Sequence, residues 1–147
     1  MAVRGDHPWG DNWRVLSADA SVCVDIARSA AKREAASREL QSVPAGARVV
    51  LRASAPGAKR RCKRFAAESG LELERAYLAF PSAGTPAYLV EDAPAPVRVF
   101  TDSVLVTPPG TPLTTVIEGC LSILRGLGGW RLVRALAPGR VIVGTRT

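Results

Sequence analysis

Histidine is almost absent from this chain and cysteine is scarce, with one of the former and three of the latter in 147 residues. His7 sits in "GDHPWGDNW" with no second ligand nearby, and Cys23, Cys62 and Cys120 are widely spaced with no CxxC pair. A zinc site would need distant residues to converge, and no Cys-His pair stands at a nucleophile-base spacing, so both are set aside. The odd thiol count reads as buried reduced cysteines. Neither GxSxG nor GxxxxGK[ST] occurs, which removes the nucleophile elbow and the P-loop. No apolar run approaches the roughly 18 to 20 residues of a membrane span, and Met1 to Gly10 lacks the pattern of a signal peptide. The expectation is a cytoplasmic protein without a membrane span.

What is present is an apolar fraction of 47%, enough to bury a core, and a net charge of +7. The charge is uneven. Residues 28–64 carry eleven basic and two acidic groups, while residues 65–97 carry one basic and five acidic. Such an asymmetry predicts a basic face, to which nucleic acid, anionic lipid or an acidic protein partner would be drawn.

Along the chain, "DNWRVL" and "SVCVDIA" read as short strands and residues 27–40 as a helix rich in Ala, Arg, Glu and Lys. Residues 47–53, "ARVVLRA", lie between turn signals and read as a strand covered on both faces. A helix from about 58 to 69 follows, closed by Gly70. Residues 71–80 and 85–92 read as a strand and its hairpin return. Beyond "APAPV" (93–97) the expectations are a strand within 98–112, an amphipathic helix over 113–127 with Val116, Cys120, Ile123, Leu124 and Leu127 on its core side, and a short helix plus terminal strand in 128–147. The glycines of "GLGGW" break the preceding helix. The order predicts an α/β fold, a small Rossmann-like three-layer sheet with an antiparallel C-terminal strand pair. It comprises a core over 1–97 and a helix-strand extension over 98–147 packed on it as one domain.

The succession "VPAGARVVLRA", a basic helix ending "AAESGLELERAYLAFP", then "PAYLVED", resembles the C-terminal half of the class I S-adenosylmethionine-dependent methyltransferases, and "LAPGRVIVGTR" is similar to their closing strand. In that family a strand after a Pro-Gly-type turn leads into a helix and then into an antiparallel pair that closes the sheet. The matching segments cover a little over half the chain. By the same resemblance "VCVDIARSAAKREAASREL" stands for a second strand and its helix, which puts Asp25 at the position that binds the cofactor ribose. A solvated strand-end acid is the other reading of that residue. Upstream, "RVLSADAS" has no glycine where the family's cofactor turn needs close backbone approach. Too few residues separate Asp25 from "VPAG" for the usual intervening strands. The resemblance therefore implies a shortened relative without a complete cofactor motif, acting as an accessory or binding subunit of a larger assembly or as a homo-oligomer. The alternatives are a small methyltransferase using S-adenosylmethionine and completed by a partner chain, and a basic nucleic-acid-binding module.

Other carboxylates read as solvated: Glu72 with Glu74, and the strand-end pair Glu91 and Asp92. The most conspicuous feature is "GAKRRCKRFAAESG", which places Lys59, Arg60, Arg61, Lys63 and Arg64 in six consecutive positions. Three readings stay open: a phosphate site at the helix start, a nucleic-acid surface shared with Lys32, Arg33 and Arg38, or the wet side of a helix whose Ala58, Cys62, Phe65 and Ala66 face the core. No stacking aromatic accompanies these cations in sequence, since Phe65 is expected in the core.

Overall fold

The computed structural model describes residues 18–104, 119, 122, 123, 126 and 128–147. Over these residues the chain forms β1 (Val22–Asp25), α1 (Ala30–Gln41), β2 (Arg48–Ser54), α2 (Ala58–Glu68), β3 (Leu71–Phe80) and β4 (Tyr88–Glu91). Then come α3 (Pro94–Val99), a π-helical turn (Phe100–Val104), α4 (Trp130–Leu136) and β5 (Gly139–Arg146). The five strands form one open mixed sheet in the order β1-β2-β5-β3-β4. Only β1 and β2 pair in parallel, and every other pairing is antiparallel. The expected α/β class and mixed sheet are both present.

β5 is the middle strand, and its residues Gly139 to Gly144 are all buried. "VIVG" is accordingly an apolar run without alternation, because both of its faces are removed from water. Gly144 is required there by close approach, since a Cβ would lie 2.5 Å from the Glu72 carbonyl oxygen. Register puts Leu51, Ile142, Ala76 and Leu78 on one face of the sheet. The four helices found among the described residues pack on that face. α1 contributes Ala36 and Leu40, α2 contributes Ala58, Cys62, Phe65 and Ala66, and α3 with α4 closes over Leu78 through Val97, Phe100 and Ala137. On the opposite face Val50, Ala79, Val141 and Val143 are buried as well. The central strands are thus withdrawn from water on both faces, while the described helices all lie on one of them.

The wet-side reading of α2 holds for its inward stripe, which consists of the four residues expected. Gly57 starts the helix at φ 74° and Gly70 follows it at φ 63°, left-handed positions where glycine carries no Cβ penalty. Burial pushes the Cys62 thiol up to about 12 and the partly covered Cys23 thiol up to about 11, so neither is a thiolate at neutral pH.

The last turn of α1 is closed from the far end of the chain. One guanidinium nitrogen of Arg146 donates to the carbonyls of Leu40 at 2.8 Å and Gln41 at 2.9 Å, and also to that of Val43. The Leu40 and Gln41 carbonyls belong to the last turn, where a helix has no intrahelical donors to offer, and Val43 lies just past it. Arg146→Met is expected to lower the unfolding free energy by about 1 to 2 kcal/mol, read from the urea midpoint with an unchanged slope.

Two expectations fail. The described part of the strand expected within 98–112 is instead helical through Val104, from α3 into the π-helical turn, and residues 105–112 lie outside the described residues. Pro94 opens α3 with its φ already helical, and burying Val97 and Phe100 against the sheet outweighs the β preference of a Val-rich run. Ile123, assigned to a core stripe, is 63% exposed. The other members of that stripe, the "DNWRVL" strand, His7 and Cys120 lie outside the described residues. No helix among the described residues is long and apolar enough to cross a membrane.

Candidate functional site

Because β5 runs antiparallel to both of its neighbours, β1, β2 and β3 all point the same way. Their carboxyl ends meet at one sheet edge, where open α/β sheets take ligands. The segments leaving them enclose a cleft of about 430 Å³, bounded by residues 25–28, Lys32, residues 52–55, Arg61, Ala83 and Gly84. Arg28, Lys32, Arg52 and Arg61 face a single acid, Asp25, in that lining. Arg52 donates to Asp25 Oδ2 at 2.6 Å, and Asp25 keeps 68% of its side chain exposed. Arg28 donates to the Ala55 carbonyl at 3.1 Å, and Arg61 donates to the carbonyls of Ser54 and Pro56. The two arginines hold the β2–α2 turn in place and keep their charge at the cleft wall.

A second concentration of charge lies on the helical face around Asp92, which follows β4 and whose side chain is only 3% exposed. Its Oδ2 accepts from Lys59 Nζ at 2.9 Å and from Arg140 at 2.8 Å, and its Oδ1 accepts from Arg134 Nε. Arg134 also donates to the Asp92 main-chain carbonyl at 3.0 Å, and Arg140 donates to the Arg134 carbonyl. Burial by itself raises the Asp92 carboxyl, but hydrogen bonds from Lys59 and Arg134 and the charge of Arg140 outweigh it and hold the group below its ordinary value of 3.8. One carboxylate thus answers three cations drawn from α2, α4 and β5. The surplus faces a second cleft of about 390 Å³, lined by Lys59, Trp130, Arg131, Arg134, Ala135 and Arg140.

The basic block of α2 therefore divides. Lys59 is drawn to Asp92, Arg61 to the β2–α2 turn, and Arg64 to Glu68 at 2.7 Å. Arg60 and Lys63 are exposed on the outer side of the helix. The strand-end pair Glu91 and Asp92, expected in solvent, separates likewise: Glu91 is exposed, whereas Asp92 is the buried hub. Its partners Arg134 and Arg140 escaped the sequence reading because they stand 42 and 48 residues away and no local spacing links them. The one available signal was the arginine pair flanking the turn into the last strand. Glu72 and Glu74 are both exposed, and the Thr145 hydroxyl donates to Glu74. Among the described residues no His, Cys, Asp and Glu grouping could hold a metal ion.

Fold and clefts together define an open-sheet α/β protein with a basic cleft beyond its parallel strand ends and a second one over its helices. Compared with known proteins, the chain matches no family model, no curated protein and no solved structure.

Proposed function

We propose that this is a methyltransferase-like α/β protein without a complete cofactor site, which serves as a binding subunit and holds an anionic partner on its basic side. The scaffold part of this reading is supported by β5, which returns antiparallel between β2 and β3 in the manner of the closing pair that the resemblance implies. The observation that carries the functional part is the charge of the strand-end cleft, four cations against one acid that is already paired with Arg52. S-adenosylmethionine carries a sulfonium and an ammonium against one carboxylate, a net positive charge that such a surplus repels, whereas a net anionic phosphate or carboxylate ligand is attracted.

Calorimetric titration of the purified protein with S-adenosylmethionine is expected to give no heat of binding up to millimolar ligand. Tight binding would overturn the reading in favour of a small methyltransferase completed by another chain. In that case Asp25→Ala should abolish the affinity if its exposed carboxylate holds the ribose.

A further inference from the structure

We infer that the anionic partner is a single-stranded nucleic acid laid across α2, with its phosphates on a basic belt and a base stacked at Trp130. The inference rests on the binding-subunit reading given above. At 100° per residue, the inward stripe of α2 leaves Arg60 at the crown of the outer face, Lys63 and Arg64 beside it, and Lys59 and Arg61 on opposite flanks. The flanks are the two cleft walls: Arg61 lines the strand-end cleft and Lys59 lines the cleft over Asp92. The belt is therefore continuous from Arg28 and Lys32, over the crown of α2, to Arg131 and Arg134. The two clefts and the outer face of α2 together carry eleven cations, against Asp25, Glu68 and Asp92, a surplus of +8 that exceeds the +7 of the whole chain.

The second requirement of a single strand is a flat surface for its bases, and the fold supplies what the neighbourhood of the basic block lacked in sequence. Trp130 lines the same cleft as Lys59, and the guanidiniums of Arg98 and Arg131 lie 5.7 and 5.4 Å from its ring centroid. A base entering this cleft meets either an indole or a guanidinium plane, and both stack nucleobases. Acidic polypeptides have no use for that shelf. A lipid headgroup layer fits a flat basic face better than two concave clefts on either side of a helix. Duplex DNA would satisfy the cations and leave the shelf idle.

The test is fluorescence polarisation with a labelled oligouridylate of about 20 nucleotides, a duplex of equal length, and polyglutamate as the acidic-peptide probe. If about five phosphates are neutralised, each with a salt slope near −0.7, the dissociation constant should rise about a hundredfold between 50 and 200 mM salt. Arg60→Glu with Lys63→Glu, both exposed, should weaken the strand at least tenfold and flatten the slope. Trp130→Leu should weaken it about tenfold and leave the slope unchanged, the signature of a lost stack. Trp130 also packs against the Leu78 cluster, so the charge-reversal pair keeps the proposal testable if that variant fails to fold. The proposal is overturned by no binding of the strand at 50 mM salt, or by an equal affinity for duplex together with indifference to Trp130→Leu. Polyglutamate binding without strand binding overturns it but leaves the anionic binding subunit intact. Tight S-adenosylmethionine binding in the calorimeter removes the reading beneath it instead.

Discussion

Asp92→Ala is expected to destabilise the protein by about 3 to 5 kcal/mol, because it leaves Arg140, itself 8% exposed, and the partly covered Arg134 without their counter-charge. The thermal midpoint should fall by roughly 10 °C in a chain of this size. Lys59→Met should cost far less, since the Lys59 side chain is 43% exposed and water can take over its part in the pair. The pH dependence separates an ion-pair loss from a packing loss. The folded Asp92 carboxyl titrates below its unfolded value, so its contribution is fully present above the ordinary value of 3.8 and drains away as pH falls through it toward the lowered one. The stability gap between wild type and Asp92→Ala should therefore be widest near neutrality and shrink in acid below about pH 4. A gap that stays constant from neutrality to pH 3 would mean the charges are not what is lost.

Leu78→Ala should cost about 3 kcal/mol by leaving a cavity under two helices at once. Leu78 is fully buried and packs with Val90, Val97, Phe100 and Ala137, the cluster through which α3 and α4 sit on the sheet. Urea unfolding should show a lower midpoint and an unchanged slope. Loosening α4 also slackens the support of Trp130 and Arg134. The same variant should therefore weaken oligouridylate binding by more than its distance from the belt accounts for, while a matched truncation on the other helix pair, Leu40→Ala in α1, should leave the Trp130 end intact.

Much of the scaffold is legible in single stretches. The stripe Ala58, Cys62, Phe65 and Ala66 predicts which side of α2 faces inward, and the structure buries those four. Gly70 marks the helix end because only a residue without a Cβ takes φ 63° freely there. The strands at 48–54, 71–80 and 139–146 are legible from β-rich runs between turn signals. The helix from Pro94 was not, because β propensity reflects side-chain packing and the decisive contacts, Val97 and Phe100 on Leu78 and Val90, are long-range. The exposure of Ile123 was likewise beyond periodicity, which finds an apolar stripe but not what covers it.

The site divides along the same line. Composition and spacing alone determine that residues 28–64 are strongly basic, that Ala58, Cys62, Phe65 and Ala66 form one apolar side of α2, and that the segments belong to an α/β order. Only the tertiary structure decides that β5 enters the middle of the sheet, that Asp92 is buried among Lys59, Arg134 and Arg140, and that Trp130 lies beside Lys59. The physical reason is that a helix repeats every 3.6 residues and a strand every two, so a local pattern reports which way a side chain faces. A carboxylate at the end of β4 finds its partners through the pairing of strands far apart in the chain, and no local period encodes that distance.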